Sequence, residues 1–331
     1  MKTMFDMIQA FPDQLAEAMD IGVNAIIRNH QVPIHKVFVS GMGGSGIGAD
    51  FVSSFIRNTC KVPYLVGKSY DMPAFIDQHT LVIISSYSGN TEETLSTFRQ
   101  LISSNAKIVC IASGGEVIKI AKESNFDVVQ LPNNWPSPRA CLGFSLVSQL
   151  YVISKLELVD PFFIPQLNDT ILRLKNETSE ILEKAKQLAA VLNGKLPVIY
   201  STDRIEPVAI RFRQQINENS KMLCWHHVIP EMNHNELVGW RWNQDAIAVV
   251  FLRNSDDHER NQARIELTKE IVSHYTTTVV ELYSKGNSLI ERSFYLVHLL
   301  DYVSVFLADY NKVDAIEVRV IDFLKTELSK I

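Results

Sequence analysis

Short runs of apolar, β-branched residues alternate with amphipathic stretches along most of the chain. In the first half these runs are uninterrupted, as expected of parallel strands buried on both faces. The predicted strands are Lys36–Ser40, Pro63–Val66, Leu81–Ser85, Lys107–Ala112 and Phe126–Leu131. The predicted helices cover residues 1–30, 46–58, 91–103, 115–123 and 140–158. This βα alternation predicts a doubly wound parallel sheet.

The same alternation restarts after residues 159–165, a segment with two prolines that we interpret as a linker. A polar helix is predicted at 168–192, strands at 196–201, 246–252 and 277–283, and helices at 205–220, 258–273 and 289–310. A chain of 331 residues has the length of two domains. We therefore expect two α/β sandwich domains of the flavodoxin-like, parallel-sheet type, at residues 1–158 and 166–331.

Composition narrows the function classes. A net charge of -5 argues against a nucleic-acid binder, which needs a basic surface. No apolar stretch approaches the roughly 18 residues of a membrane span, and the N-terminal residues lack the pattern of a signal peptide. The four cysteines form no CxxC pair, and Cys110 lies in an apolar run that suits a buried thiol. We expect a cytoplasmic protein.

The first candidate site is the glycine-rich segment Gly41–Gly48, which follows a predicted strand and precedes a predicted helix. Gly43, Gly44 and Ser45 would bring backbone amides close to an anion at the helix N-terminus. The alternatives are a tight turn without a ligand and a dinucleotide site, since the segment matches G-x-G-x-x-G. A dinucleotide site needs an acidic residue at the end of the second strand, where this chain has Val66-Gly-Lys-Ser69. The Walker pattern is absent from the sequence.

The second candidate site is Ser85-Ser-Tyr-Ser-Gly-Asn-Thr91, again between a strand and a helix. The hydroxyls of Ser86, Ser88 and Thr91, with the first amides of the helix, can bind a phosphate without a lysine. Ordinary helix capping by Ser88 or Thr91 is the alternative, and it is compatible with phosphate binding.

Two such loops in one α/β domain resemble the phosphosugar-binding SIS (sugar isomerase) domain, whose S-x-S-G-x-T pattern is present at Ser86 to Thr91. SIS domains occur in isomerases, amidotransferases and non-catalytic sensors. Residues 211–240, RFRQQINENSKMLCWHHVIPEMNHNELVGW, resemble the bifunctional phosphoglucose/phosphomannose isomerase family. The resemblance includes Trp240 and, in the first half, Arg139 within Pro-Ser-Pro-Arg.

The resemblance implies that Glu218 and His234 are catalytic and that a C-terminal lysine acts at the ring oxygen of the sugar. Lys325 is our choice for that lysine, with Lys312 as the second candidate. After Asp314 the chain has Ala315 and Ile316 where the family commonly has proline and threonine, so the local geometry departs from the family pattern here.

These residue types suit aldose–ketose isomerisation. One carboxylate, Glu218, would move a proton between C2 and C1. His234 suits proton transfer at the ring oxygen and O1, because imidazole gains and loses protons near neutral pH. Arg139 would stabilise the enediolate. The alternatives are a solvated carboxylate for Glu218, a structural role for His234 and a surface position for Arg139.

The resemblance further implies glucose 6-phosphate or mannose 6-phosphate as substrate, no cofactor, and a homodimer in which His234 comes from the partner subunit. A metal site is not expected, because the spacing of His226, His227 and His234 fits no zinc motif. Two other functions remain open. One is a non-catalytic phosphosugar sensor, and the other is an SIS isomerase for a different sugar phosphate.

Overall fold

The computed structural model describes residues 2–242 and 246–331. The chain divides into two compact units. The N-terminal unit is Gln9–Lys175, and the C-terminal unit is Asn176–Ile331 together with the N-terminal segment up to Ile8. The domain limits expected from the sequence, residues 1–158 and 166–331, stay a prediction.

The N-terminal unit is built on a five-stranded parallel sheet with the strand order β2-β1-β3-β4-β5. The strands are β1 (Lys36–Ser40), β2 (Tyr64–Gly67), β3 (Thr80–Ser85), β4 (Lys107–Ala112) and β5 (Asp127–Gln130). Since β1 and β3 are paired in parallel, with Ser40 opposite Ile84, the loops that follow them begin side by side at the carboxyl edge of the sheet.

Helices connect and cover these strands. They are α2 (Phe11–Asn24), α3 (Gly43–Ile56), α4 (Glu92–Leu101), α5 (Gly115–Glu123), α6 (Leu142–Lys155) and α7 (Phe163–Asn176). The first helix of the chain, α1 (Met4–Gln9), lies mostly in the C-terminal unit. Every residue of β3 is buried, and Phe98 of α4 and Val117 of α5 pack against the sheet in one hydrophobic cluster. Burial on both faces explains why these strands are apolar throughout.

The C-terminal unit has a four-stranded parallel sheet with the order β7-β6-β8-β9. The strands are β6 (Leu196–Thr202), β7 (Trp225–Ile229), β8 (Ile247–Arg253) and β9 (Thr278–Tyr283). The helices are α8 (Thr178–Leu192), α9 (Glu206–Gln215), α10 (Glu259–Ser273), α11 (Leu289–Asn311) and α12 (Arg319–Leu328). The long α11 begins with a capping box, in which Ser288 and Glu291 satisfy each other's backbone amides.

The two parallel-sheet α/β units confirm the fold class expected from the sequence. Several local expectations were wrong. The helix predicted at 1–30 is two helices, α1 and α2, and the second ends at Asn24. The predicted linker overlaps α7, because Pro165 lies in the first turn, where a missing amide costs no hydrogen bond. The helix predicted at 168–192 is two helices, α7 and α8. The helix predicted at 205–220 ends as a π-helical turn, and β7 was not predicted.

No helix among residues 2–242 and 246–331 combines the length and the apolar character that a membrane crossing requires.

Candidate active site

The first loop joins β1 to α3 and presents its backbone at Gly43. Gly43 has a φ of +48°, and a Cβ placed on it would meet no atom within 4 Å. The amides of Ser45 and Gly46 both donate to the carbonyl of Met42, at 3.0 and 3.1 Å, which closes the turn behind Gly43. The loop therefore leaves open space where a ligand can approach the backbone.

Arg139 lies beside this loop. It belongs to the short turn Pro138–Ala140, and a Cβ on Gly44 would lie 3.3 Å from the carbonyl oxygen of Pro138 and 3.8 Å from the Cα of Arg139. Gln14 of α2 donates to the carbonyl of Ala140 at 2.8 Å and holds the turn in place. Arg139 is only 8% exposed, which excludes the alternative of a surface residue.

The second loop follows β3 and contains the hydroxyl cluster of the N-terminal unit. The hydroxyls of Ser86 and Thr91 lie 2.9 Å apart, and the amide of Gly89 donates to the Ser86 hydroxyl at 3.1 Å. Ser86 is buried, whereas Ser88 is exposed. The capping alternative fails for Thr91: it occupies the N-cap of α4, but its hydroxyl bonds with Ser86 instead of a helix amide.

Two neighbouring helix N-termini differ in how the protein uses them. The amides of Glu116 and Val117, in the first turn of α5, donate to Asn90 Oδ1 and to the carbonyl of Gly89, both at 3.0 Å. The N-terminus of α5 is thus occupied by acceptors of the second loop. At the N-terminus of α4, by contrast, the side chain of the N-cap residue Thr91 accepts no hydrogen bond from a helix amide. The N-terminus of α4 is therefore the better candidate for binding an anion.

The two loops contact each other. A Cβ on Gly41 would lie 2.9 Å from the carbonyl oxygen of Ser85, so glycine permits the close approach. The Ser85 hydroxyl lies 3.0 Å from that of Ser145 on the buried helix α6. The N-terminal unit therefore brings Gly43, Ser86 and Thr91 to one edge of its sheet, with the turn that carries Arg139 packed against the first loop.

Lys68 is a charged neighbour of the first loop that the sequence analysis missed. Its Cε would lie 3.2 Å from a Cβ on Gly46, and its ammonium pairs with Asp50 of α3. The sequence shows that Lys68 directly follows the second strand. Only the pairing of β2 with β1 in the structure shows that this position lies next to the first loop.

In the C-terminal unit, Glu218 lies on the π-helical turn Ile216–Ser220 that continues α9. Such turns are rare in proteins and occur often at functional sites. Asn219 donates to the Ser304 hydroxyl at 2.9 Å, and Ser220 donates to the Ser304 carbonyl at 2.6 Å. Both bonds fix the turn to α11, and Asn311 adds a third by donating to the carbonyl of Ser220 at 2.8 Å.

A buried ion pair reinforces the same junction. Arg211 of α9 donates to both carboxylate oxygens of Asp301 on α11, at 3.1 and 2.5 Å. Burial raises the pKa of the Asp301 carboxyl, and the Arg211 guanidinium acts in the opposite direction. An unpaired charge at this depth would be costly, so the pair specifies how α9 and α11 pack, and thereby where the turn of Glu218 lies.

Glu218 borders a cavity of about 480 Å³ within the C-terminal unit. The cavity is lined by residues 217–218, 221–223 and 317–321. Lys325 lies further along α12, all of whose residues are exposed. Lys312 is also exposed and ends α11 in the left-handed conformation, with a φ of 55°. The structure connects Glu218 with the segment that leads into α12.

His234 ends the short helical segment Glu231–His234 and is exposed. The preceding Asn233 donates to the Thr268 hydroxyl at 2.8 Å, and Met232 is fully buried, so the backbone is anchored while the imidazole points away from the core. Two residues later, Glu236 accepts a hydrogen bond from Tyr200 of β6. Burial and this carboxylate raise the pKa of Tyr200, which stays protonated as a donor.

The histidines of β7 do not assemble with His234. His226 lies 3.7 Å from a carboxylate oxygen of Glu206, and His227 Nδ1 lies 3.3 Å from the carbonyl of Val228. Across residues 2–242 and 246–331, no three His, Cys, Asp or Glu side chains are grouped in a way that could hold a metal ion.

Comparison with known proteins adds to this geometry. Residues 32–152 match the model of the SIS domain, and residues 181–328 match that of the bacterial phospho-glucose isomerase C-terminal SIS domain. The chain is 38% identical over 338 residues to a bifunctional phosphoglucose/phosphomannose isomerase of Caldicellulosiruptor bescii, with 99% of each chain covered. It is also 38% identical over 301 residues to the Aquifex aeolicus protein of that name, covering 90% of this chain and 92% of the relative.

A solved structure shows the same fold at low sequence identity. The C-terminal domain of glucosamine-fructose-6-phosphate aminotransferase from Francisella tularensis superposes with a TM-score of 0.74 at 16% identity. The match covers 95% of this chain and 98% of that domain.

Proposed function

This chain belongs to the bifunctional phosphoglucose/phosphomannose isomerase family, and on that premise we propose that it interconverts glucose 6-phosphate or mannose 6-phosphate with fructose 6-phosphate. The observation that carries the proposal is the position of Glu218. It lies on a π-helical turn fixed by three hydrogen bonds to α11, beside a cavity. A base that transfers one proton between two neighbouring carbons needs such a fixed position.

The phosphoryl group binds to the two loops of the N-terminal unit. Backbone amides of Gly43, Gly44 and Ser45 serve one loop, and the hydroxyls of Ser86, Ser88 and Thr91 serve the other. The support is the open space at Gly43 and the Ser86–Thr91 hydroxyl pair at the N-terminus of α4. Amides and hydroxyls bind the dianion through hydrogen bonds and the helix dipole.

Ring opening precedes the proton transfer. His234 and Lys325 move protons at the ring oxygen and at O1, so that the ring C1–O5 bond breaks and the aldehyde forms. Imidazole suits this exchange because it takes up and releases protons near neutral pH. Lys312 stays the second candidate for the lysine, as both side chains are exposed in the C-terminal unit.

Glu218 then removes the C2 proton of the open-chain aldose. The electron pair of that bond forms the C1–C2 double bond, and O1 takes up negative charge and then a proton, giving the cis-enediol. Glu218 returns its proton to C1 while the O2 hydroxyl loses its proton, which yields the ketose. Arg139 stabilises the negative charge that develops on oxygen.

The active form is a homodimer in which His234 is supplied by the partner subunit. His234 is exposed within a single chain, and Val238 and Trp242 of the adjacent segment are 65% and 93% exposed. Large apolar side chains exposed together are typical of a protein interface.

The reaction takes place in the cytoplasm as a step of carbohydrate metabolism. The four cysteines are free thiols, which suits a reducing compartment.

Glu218→Gln tests the proposal, with Glu270→Gln on the exposed face of α10 as a matched control. We expect the first change to lower turnover by about 100-fold or more, the usual contribution of a general base. Phosphosugar binding, measured by calorimetry, should be retained because the loops are intact. Turnover above about a tenth of the unmodified level would exclude Glu218 as the base. Fructose 6-phosphate binding without turnover in the unmodified protein would indicate a sensor instead.

A further inference from the structure

Lys221 directly follows the turn of Glu218 and has an unusual set of contacts. It ends the π-helical turn in the left-handed conformation, with a φ of 57° and a ψ of 35°. Its ammonium donates to the backbone carbonyls of Glu218 at 2.6 Å, Asp314 at 2.9 Å and Glu317 at 2.9 Å. One side chain therefore joins the turn of Glu218 to the segment that precedes α12.

The contacts use the full hydrogen-bonding capacity of a lysine. An ammonium group has three N–H donors, arranged as a tripod, and here three carbonyl oxygens accept from it. The Glu317 carboxylate is further away, at 3.8 Å. A guanidinium is planar and presents its donors as a fork, so arginine would not reproduce this arrangement.

The two segments that Lys221 joins are not equally well anchored. The turn of Glu218 is also fixed to α11 by Asn219, Ser220 and Asn311. By contrast, all residues of α12 are exposed, so its position depends on the segment that leads into it. Loss of Lys221 should thus displace α12 more than it displaces Glu218.

We propose that Lys221 is a positioning residue that holds α12, and with it Lys325, at a fixed place relative to the carboxylate of Glu218. This inference depends on the proposed function, because Lys221 affects the reaction only by positioning Lys325, which helps to open the ring, relative to Glu218, which transfers the proton. Lys221 itself stays hydrogen-bonded to the backbone and transfers no proton.

The test compares Lys221→Met, which keeps the length of the side chain and removes its donors, with Lys61→Met, an exposed lysine of the N-terminal unit. Hydrogen–deuterium exchange gives the first readout. We expect the amides of residues 314–328 to exchange about tenfold faster in Lys221→Met, while residues 216–220 change little. Lys61→Met should leave both segments unchanged.

Kinetics give the second readout. Since the phosphate loops are intact, KM for glucose 6-phosphate should change less than about threefold, while kcat falls about tenfold or more, as expected for a misplaced catalytic group. Lys221→Arg keeps the charge and part of the hydrogen bonding, so it should show a smaller fall in kcat with faster exchange in the same peptides. It also replaces Lys221→Met in both readouts if that variant fails to fold.

Unchanged exchange at 314–328 would overturn the proposal, and so would faster exchange with an unchanged kcat. A fall in kcat with faster exchange at 216–220 alone would assign Lys221 to the turn instead of α12. Failure of the proposed function gives a different result, because the unmodified protein would then bind the sugar phosphate without turning it over, whatever the exchange of residues 314–328 shows.

Discussion

A methyl group on Gly89 would lie 1.8 Å from the carbonyl oxygen of Gly114. Gly89 also has a φ of +70°, and its own carbonyl accepts the amide of Val117 at 3.0 Å. The second loop, which carries Ser86, Ser88 and Thr91, is thus packed directly against the loop that follows β4. This packing leaves no room for a side chain at Gly89 and fixes the loop that carries Ser86, Ser88 and Thr91.

Gly89→Ala should therefore disturb both stability and substrate binding. We expect a lower melting temperature and at least a roughly tenfold higher KM, because the loop must move away from Gly114. Gly194→Ala is the matched control: Gly194 has a similar φ of +73°, but its Cβ would meet no atom within 4 Å. The control should lose only about 1 kcal/mol of stability, with KM unchanged. Equal effects of the two substitutions would contradict the packing explanation.

Gly43→Ala tests whether the ligand approaches the backbone of the first loop, at a position where the protein itself leaves room for a methyl group. Gly43 has a positive φ, but a Cβ would extend into open space. We expect a small cost in stability, about 1 kcal/mol, and a clear loss of fructose 6-phosphate affinity because the methyl group occupies the ligand's place. Calorimetric titration measures the affinity. An alanine variant that binds as tightly as the unmodified protein would show that the phosphoryl group does not approach the backbone at Gly43.

The two loops could be located from the sequence because their signal is local. Each combines a buried strand, a glycine and hydroxyl-rich turn, and a helix within about twenty residues, and the structure places both loops where parallel strands end. The parallel sheet was predicted from the βα alternation for the same reason. Residue types and spacing within a short window were enough.

The contacts that position Glu218 could not be predicted in this way. Lys221 bonds to carbonyls of residues 93 and 96 positions later in the chain, and such distant contacts leave no local pattern. The strand β7 was missed because it is a half-buried strand at the sheet edge with two adjacent histidines, His226 and His227. The acidic residue Asp301 within the largely apolar α11 indicated that a buried cation lies nearby, and the structure identifies that cation as Arg211.

His298 should make stability depend on pH. It is buried in α11 against the ring of Tyr302, and burial lowers the pKa of His298 to about 3. Between pH 6.5 and that value the unfolded chain binds a proton that the native chain does not, so the free energy of unfolding falls as pH falls. His298→Leu should reduce this slope by up to about 1.4 kcal/mol per pH unit.

Urea unfolding at pH 7, 6 and 5 measures that slope. His274→Leu serves as the control, because it removes an exposed histidine near the end of α10 and should leave the slope unchanged. If His298→Leu showed the same pH dependence as the unmodified protein, protonation of His298 would not contribute to acid destabilisation.

Mixing two inactive variants tests whether His234 acts across a dimer interface. Glu218→Gln and His234→Ala each remove one group from every site of their own homodimers. In a mixed dimer with a two-fold axis, one site would combine the intact Glu218 of one chain with the intact His234 of the other. Equal amounts of the two variants are denatured and refolded together so that their subunits pair at random. About half of the dimers are then mixed, and one of the two sites in each is complete, so about a quarter of the unmodified activity should return. If both groups came from the same chain, no site would be complete and activity would stay at the level of the separate variants. Chains refolded singly give that baseline, and size-exclusion chromatography confirms that dimers have formed in each sample.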